Sequence, residues 1–259
     1  MAEHVQLEDG THAQLFEPGG RPETPAVVIL HERYGLVQHT LDLAGKLANG
    51  GYVALAPDLF SHWSGDREAL RRGDVRVTLS DPQVAGTIER CLSFLEPRKV
   101  ALMGVCQSGR YPIVAAARRP DVAACVVFYG AASDKDWEVN QDQPRPMPDL
   151  FADMRAPSLW VFGEADHTIS LGDVRRVRDS LEAARRGYRM RVFADMPHGW
   201  LNDTMPGRYR APQANAGWAD QQKFLKRVFE GEMAPDRVSW RFESEIDADY
   251  DFSKNVRLE

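Results

Sequence analysis

Residues 100–109 of the chain read Val100-Ala101-Leu102-Met103-Gly104-Val105-Cys106-Gln107-Ser108-Gly109. The apolar run Val100–Met103 predicts a buried strand, and the amphipathic segment Gln107–Arg118 that follows predicts a helix. A sharp turn between them leaves little room beside the residue at its apex, which explains the small residues Gly104 and Ser108. The stretch therefore predicts strand, turn and helix, with Cys106 held on the turn.

The same alternation of a short apolar run and a longer amphipathic segment recurs along the chain. The runs that predict strands are Ala26–Leu30, Tyr52–Ala56, Val100–Met103, Ala124–Tyr129, Ser158–Phe162 and Arg189–Phe193. Further amphipathic or charged segments are Val37–Asn49, Asp66–Arg72, Asp173–Arg185 and Pro212–Phe229. This order predicts an α/β fold, with a mostly parallel central sheet and helices on both faces.

One domain is predicted over residues 1–231, followed by a C-terminal arm of residues 232–259. A chain of 259 residues can bury a sizeable core without disulfides or metals, and no repeat precedes the arm. The proline-rich stretch Gln143–Pro148 is interpreted as a loop or short cap insertion. Within the arm, Arg237–Glu243 alternates as a strand does, and an acidic, aromatic stretch follows over Asp247–Phe252. We predict that the arm docks on a partner subunit in a homodimer; a frayed terminus is the alternative.

Charge and composition narrow the function classes. A net charge of -6, with 43% hydrophobic and 27% charged residues, is ordinary for a globular protein and offers no basic stripe for nucleic acid. The apolar runs are too short to span a bilayer, and the first residues lack a secretory signal pattern. The three cysteines form no C-x-x-C pair and cannot all be disulfide-bonded, which favours a reducing cytoplasm.

Cys106 is the predicted nucleophile. The turn places it near a helix N-terminus, whose dipole and free N–H groups favour a thiolate over a thiol. Because an ordinary thiol is ionised only to a few per cent at neutral pH, we expect a histidine nearby. Cys91, in a helical pattern, and Cys125, in an apolar strand, are predicted to be core residues. An inert buried cysteine is the alternative reading of Cys106.

An acid and a histidine follow two later strands. Asp166 comes shortly after the strand Ser158–Phe162, and His198 shortly after Arg189–Phe193. Both therefore lie at strand C-terminal ends, where open α/β sheets form their ligand crevice. The order nucleophile, acid, histidine is that of an α/β-hydrolase triad, so we predict that Asp166 orients His198 for proton transfer with the cysteine. Nearby competitors are Glu164 and His167.

Several blocks of the chain resemble the dienelactone hydrolase family. They are Ala26–Gly35, Pro57–Phe60, the cysteine turn, Phe128–Gly130, Gly163–Asp166 and Pro197-His198, in the family's order over roughly residues 24–230. The resemblance implies the α/β-hydrolase fold, a triad of Cys106, Asp166 and His198, and no cofactor or metal. It also implies that Glu32 contacts the cysteine and helps to activate the thiol.

The resemblance further implies an oxyanion hole and a pocket wall. The backbone N–H groups of Gln107 and Arg33 would form the hole, and Tyr34 and Trp200 would wall the pocket unless they pack in the core. Two positions depart from the family. Ser108 stands where the family usually has glycine, and Asn202, also a pocket candidate, stands where carboxylate-binding members carry arginine. Other candidates for a positive site are Arg33, Arg110, Arg208 and Arg210.

These observations predict a hydrolase that cleaves a small ester or (enol-)lactone through an acyl-enzyme. The Cys106 thiolate would attack the carbonyl, and His198 would activate the water that releases the product. Two other classes stay open: a non-catalytic α/β-hydrolase-fold binding protein, and an amidotransferase-like thiol or redox protein, which usually places a histidine soon after its cysteine. The expected partner is a small-molecule substrate, with no cofactor, nucleic acid or membrane.

Overall fold

The computed structural model describes residues 2–19, 21–233 and 238–246, and its strands form one sheet. The strands are β1 (Ala2–Gln6), β2 (His12–Phe16), β3 (Ala26–Leu30), β4 (Val53–Pro57), β5 (Val100–Val105), β6 (Ala124–Phe128), β7 (Ser158–Gly163), β8 (Tyr188–Phe193) and β9 (Trp240–Ser244). Their order across the sheet is β1-β2-β4-β3-β5-β6-β7-β8-β9. The β1–β2 and β2–β4 pairs are antiparallel and the other neighbours are parallel, which confirms the predicted mostly parallel sheet.

Helices cover both faces of this sheet. They are α1 (Gln38–Asn49), α2 (Arg67–Arg72), α3 (Asp81–Leu95), α4 (Tyr111–Ala116), α5 (Asp134–Trp137), α6 (Met147–Asp153), α7 (Leu171–Ala183) and α8 (Ala211–Phe229). Successive side chains of a strand point to opposite faces, so Val27 and Ile29 join one apolar cluster while Val28 and Leu30 join the other. The first cluster includes side chains of α1 and α8, and the second includes side chains of α3 and α7. Burial on both sides explains why β3 is apolar at every position.

Side-chain caps fix where the helices near the site begin. Asp66 accepts the backbone N–H groups of two residues in the first turn of α2, and Ser80 does the same for one residue of α3. At α7, Ser170 and Asp173 form a reciprocal capping box. Because α7 begins at Leu171, the loop after β7 spans only residues 164–170. Asp166 lies in this short loop and therefore has little freedom to move.

The structure adds elements that the sequence patterns did not reveal. An antiparallel hairpin of β1 and β2 occupies the polar N-terminal stretch. The last two residues of the predicted loop Gln143–Pro148 are helical, because α6 begins at Met147. The strand-like segment that was predicted in the arm is present as β9, which pairs with β8 as a further parallel strand of the same sheet. Arg237 and the stretch Asp247–Phe252 lie outside the described residues, and the division at residue 231 stays a prediction. None of the helices in the described ranges is long and apolar enough to cross a membrane.

Candidate active site

The turn after β5 holds Cys106 in a strained conformation. Its φ of 57° lies in the left-handed region, which is uncommon for a residue with a side chain. The turn closes tightly, because a Cβ added to Gly104 would lie 2.4 Å from the carbonyl oxygen of Ser108. Ser108 fits where the family usually has glycine, since its buried hydroxyl donates to the Leu30 carbonyl at 2.8 Å and accepts the Val105 N–H at 3.0 Å. The departure at this position therefore leaves the turn intact.

The predicted cysteine, histidine and acid lie in one hydrogen-bonded row. His198 Nε2 is 3.0 Å from Cys106 Sγ, and His198 Nδ1 is 2.8 Å from Asp166 Oδ2. The second carboxylate oxygen of Asp166 accepts the N–H groups of Thr168 and Ile169 and the Thr168 hydroxyl. Because the acid accepts at Nδ1, the Nε2 atom of His198 is presented to the sulfur. Glu164, the competing acid, accepts the N–H of Asp195 instead.

The charges in this row support one another. Burial disfavours the charged form of His198, but the negative charge of Cys106 and the hydrogen bond to Asp166 outweigh it and hold the pKa of His198 well above 6.5. Burial likewise raises the pKa of Asp166, but the hydrogen bond and charge of His198, with Thr168, lower it overall. The geometry therefore favours an ionised Asp166 beside a protonated His198, with the sulfur at the other ring nitrogen.

Glu32 lies in the same pocket, but its carboxylate accepts a hydrogen bond from Asn202 instead of contacting the cysteine. The Asn202 amide nitrogen donates to Glu32 Oε2 at 2.8 Å, and both side chains are buried. The amide is oriented because its oxygen accepts the N–H and hydroxyl groups of Thr204. Behind Glu32, His31 accepts the Leu59 N–H at Nε2, so its Nδ1 donates to the Glu32 carbonyl at 2.7 Å. Backbone and carboxylate of Glu32 are thus both fixed.

A cavity of about 370 Å³ opens above the sulfur, a volume typical of small-molecule sites. Its wall includes the predicted residues Cys106, His198, Glu32, Arg33, Gln107 and Tyr34. The side chains of Arg33 and Gln107 bond to the carbonyls of Gly73 and Val77, and the role of their backbone N–H groups stays a prediction.

Three of the other predicted residues, Trp200, Asn202 and Arg210, lie away from the cavity wall. Trp200 is fully buried against Phe128, Tyr129 and Phe193, and Asn202 reaches the site only through Glu32. Arg210 bonds to nearby carbonyls outside the cavity.

Arg110 borders the cavity, but its charge is already used. The guanidinium makes two-pronged hydrogen bonds to Asp81 and also donates to the carbonyls of Asp136 and Arg145. It therefore joins the start of α3, the cysteine turn and the segment around α5, instead of facing a ligand. Other basic side chains on the wall are Arg76, Lys135 and Arg208, none of which has an ion-pair partner among the described residues.

Three further residues lie at the site: Thr168 and Tyr129 were not predicted as site residues, and His167 was predicted only as a competitor of the triad members. Thr168 bonds Asp166 and also lies 3.0 Å from His198 Nδ1; a hydroxyl two residues after an acid is the available signal. His167 borders the cavity with its ring 5.7 Å from that of His198. Tyr129 has a φ of 37° and a buried hydroxyl. Burial and the negative charges of Glu32 and Cys106 raise the pKa of Tyr129 well above 10.

No group of three or more histidine, cysteine, aspartate or glutamate side chains in the described ranges is arranged to hold a metal ion.

Comparison with known proteins gives one consistent family. The family model of the dienelactone hydrolases matches residues 11–229. A protein described as a carboxymethylenebutenolidase from Methylorubrum extorquens is 28% identical over 235 residues, which cover 86% of this chain and 79% of the relative. A protein of the same description from Escherichia coli K12 is 28% identical over 215 residues, covering 78% and 77%.

Solved structures show the same fold. A protein described as a dienelactone hydrolase from Klebsiella pneumoniae superposes with a TM-score of 0.75 at 24% identity, covering 89% of this chain and 98% of that one. Est1E from Butyrivibrio proteoclasticus superposes with a TM-score of 0.65 at 15% identity, covering 88% and 99%. The predicted family and the α/β-hydrolase fold are confirmed: the chain belongs to the dienelactone hydrolase family and is an ester or lactone hydrolase.

Proposed function

We propose that the chain hydrolyses its substrate through a Cys106–His198–Asp166 triad and a covalent acyl-enzyme. The observation that carries this proposal is the continuous row from Asp166 Oδ2 through the His198 ring to Cys106 Sγ, with contacts of 2.8 and 3.0 Å. A nucleophile and base within hydrogen-bond reach, with the base oriented by a third group, is the arrangement that activates a thiol.

The chemistry follows from these positions. The Cys106 sulfur adds to the substrate carbonyl carbon, and the resulting oxyanion is stabilised by the backbone N–H groups of Gln107 and Arg33. His198 then gives its Nε2 proton to the departing alkoxide as the carbon–oxygen bond breaks, leaving a thioester. Water attacks this thioester while His198 accepts a proton, and the carboxylic acid leaves as the sulfur is released. Asp166 holds the ring in one orientation throughout.

Glu32 is proposed as a fourth participant. Its carboxylate borders the cavity, and its charge acts on Tyr129 together with that of Cys106, which supports a shared neighbourhood for the three groups. Since Asn202 holds the carboxylate and His198 contacts the sulfur directly, the thiol of this chain is activated chiefly by the histidine.

The charge of the cavity supports a substrate that carries a carboxylate. The side chains that border the cavity carry two carboxyl groups, those of Glu32 and Asp136, against five basic groups: Arg33, Arg76, Arg110, Lys135 and Arg208. Because the whole chain is acidic, with a net charge of -6, this local excess of positive charge favours attraction of an anion. We therefore propose a small ester or lactone with a nearby carboxylate group.

The test uses a chromogenic acetyl ester and a five-membered lactone, with the wild type and Cys106→Ala. We expect wild-type turnover of at least one of them, and a loss of about a thousandfold or more in kcat for the variant. Mass spectrometry of rapidly quenched enzyme should show one acyl group on the peptide that contains Cys106. His198→Ala should slow turnover by about a hundredfold or more. The matched control His62→Ala, at an exposed histidine, should leave turnover unchanged.

Two outcomes would contradict the triad. Full activity of Cys106→Ala would move the nucleophile elsewhere. An inactive wild type whose Cys106 reacts with iodoacetamide no faster than a free thiol would favour the non-catalytic binding protein. We also propose a cytoplasmic location, based on the free thiols of Cys91, Cys106 and Cys125, and a homodimer formed through the arm.

A further inference from the structure

The outer edge of β9 ends the described sheet with unpaired backbone groups. On its inner edge, the Tyr188 N–H donates to the Ser239 carbonyl at 2.9 Å, and the Glu245 N–H donates to the Val192 carbonyl at 3.1 Å. Since the direction of backbone groups alternates along a strand, those of Arg241 and Glu243 also point inward. The N–H and C=O groups of Trp240, Phe242 and Ser244 therefore point outward, where no described strand pairs with them.

The two faces of β9 carry different side chains, aromatic on one face and charged on the other. Trp240 and Phe242 lie on the α7 side, where the Arg178 guanidinium stacks 5.5 Å from the Phe242 ring. They are 49% and 40% exposed, although aromatic side chains of this size are normally covered. Arg241 and Glu243 lie on the other face and form an ion pair. An open strand edge with exposed aromatic side chains is a template for pairing with another strand.

We infer that two copies of this chain pair their β9 strands antiparallel, about a two-fold axis at Phe242. In this register Phe242 exchanges two backbone hydrogen bonds with the partner's Phe242. Trp240 exchanges two with the partner's Ser244, and the symmetric pair adds two more. All outward groups of the three residues are then satisfied, and the two sheets become continuous.

Charge selects this register over its neighbours. With the axis at Phe242, Arg241 lies opposite the partner's Glu243, in the non-hydrogen-bonded positions where opposed side chains approach most closely. With the axis one residue earlier, Arg241 would face the partner's Arg241. With the axis one residue later, Glu243 would face the partner's Glu243. Like charges directly opposite each other destabilise a strand pair, so only the central register is complementary.

The test measures the mass of the full chain in solution by sedimentation velocity over micromolar concentrations. We expect a dimer of twice the chain mass of 29.1 kDa. Arg241→Glu, which leaves two acidic side chains, and Glu243→Arg, which leaves two basic ones, should each weaken self-association by about tenfold or more. Mixing these two variants should restore dimers, because every opposed pair is then of opposite charge. Phe242→Pro, which removes the central N–H donor, should abolish the dimer.

Several results would overturn the inference. A wild type that stays monomeric at all concentrations excludes the pairing, and a dimer that survives Phe242→Pro uses another surface. If mixing the acidic and basic variants restores nothing, the register is wrong. If a chain ending at Ile246 loses the dimer, residues 247–259 make the contact instead. Arg71→Glu on α2 is the matched control for charge reversal, and ester hydrolysis, which uses none of these residues, reports that each variant is folded.

Discussion

Replacing Asn202 by alanine tests how the buried Glu32 carboxylate is held. The substitution removes the 2.8 Å hydrogen bond to Glu32 and two hydrogen bonds from Thr204. A hydrogen bond to a charged group contributes about 1.5–3 kcal/mol, and each bond from the exposed Thr204, whose donor groups can bond to water instead, contributes about 0.5 kcal/mol. We therefore expect Asn202→Ala to lower the free energy of unfolding by about 2.5–4 kcal/mol. For a chain of this size that corresponds to a fall in Tm of roughly 5–15 °C.

The measurement is urea denaturation of a double-mutant cycle with Glu32→Ala. The cycle isolates the Asn202–Glu32 contact from the Thr204 bonds, and we expect a coupling of about 1.5 kcal/mol or more. Asn49→Ala, at an exposed asparagine in the last turn of α1, is the matched control and should change stability by less than about 0.5 kcal/mol. A coupling below about 0.5 kcal/mol would show that water replaces the Asn202 amide without loss of stability. Burial of the Asn202–Glu32 hydrogen bond would then not stabilise the folded state.

Two further predictions concern the histidine and the turn. Cys106→Ala removes a negative charge that raises the pKa of His198 while burial and Asp166 remain, so the pKa should fall; imidazole NMR titration checks this, and an unchanged or higher value would contradict it. Because the folded-state pKa lies above the unfolded value of about 6.5, the contribution of His198 to wild-type stability is full below that pH and is lost as pH rises through the folded pKa. Gly104→Ala should prevent correct closure of the turn, since its Cβ would lie 2.4 Å from the Ser108 carbonyl oxygen. Gly45 lies inside α1, and a Cβ added there would contact only the Phe16 ring, at 3.8 Å, so Gly45→Ala should instead stabilise the fold by about 0.5–1 kcal/mol. Thermal unfolding of both variants distinguishes a tight turn at Gly104 from a general intolerance of alanine in place of glycine.

The central sheet could be predicted because its strands are buried on both faces. Each such strand then appears in the sequence as a short, continuous apolar run, as in β3. Cys106, Asp166 and His198 each follow one of these runs, so they could be predicted to meet at the edge of the sheet where the parallel strands end. The hairpin of β1 and β2 could not be predicted in the same way, since β1 is exposed and its pattern is weak. Strand pairs at a sheet edge are determined by their neighbours more than by their own residues.

The hydrogen-bond and ion-pair partners of the site side chains were less predictable from the sequence than the places of these residues in the fold. Asn202 could be placed near the histidine by its spacing, but its bond to Glu32 joins residues 170 positions apart, and only the folded chain brings them together. Arg110 was a candidate for a positive site because it follows the cysteine, whereas Asp81 neutralises it from α3. A sequence identifies charges, but the packing of distant elements decides which of them stay available to a ligand.

We expect the hydrogen-bond network around Arg110 to limit the length of the substrate as well. The Arg110 guanidinium donates hydrogen bonds to the carbonyls of Asp136 and Arg145, and Arg110 follows Cys106 by four residues. The distance between that side of the cavity and the sulfur is therefore set by covalent geometry and a few hydrogen bonds. Because these hydrogen bonds hold the wall in place, we expect it to move less than a loop without such bonds when a longer substrate group binds. We therefore expect the hydrogen bonds of Arg110, a residue on the cavity wall, to limit the size of the substrate group that fits beside the sulfur.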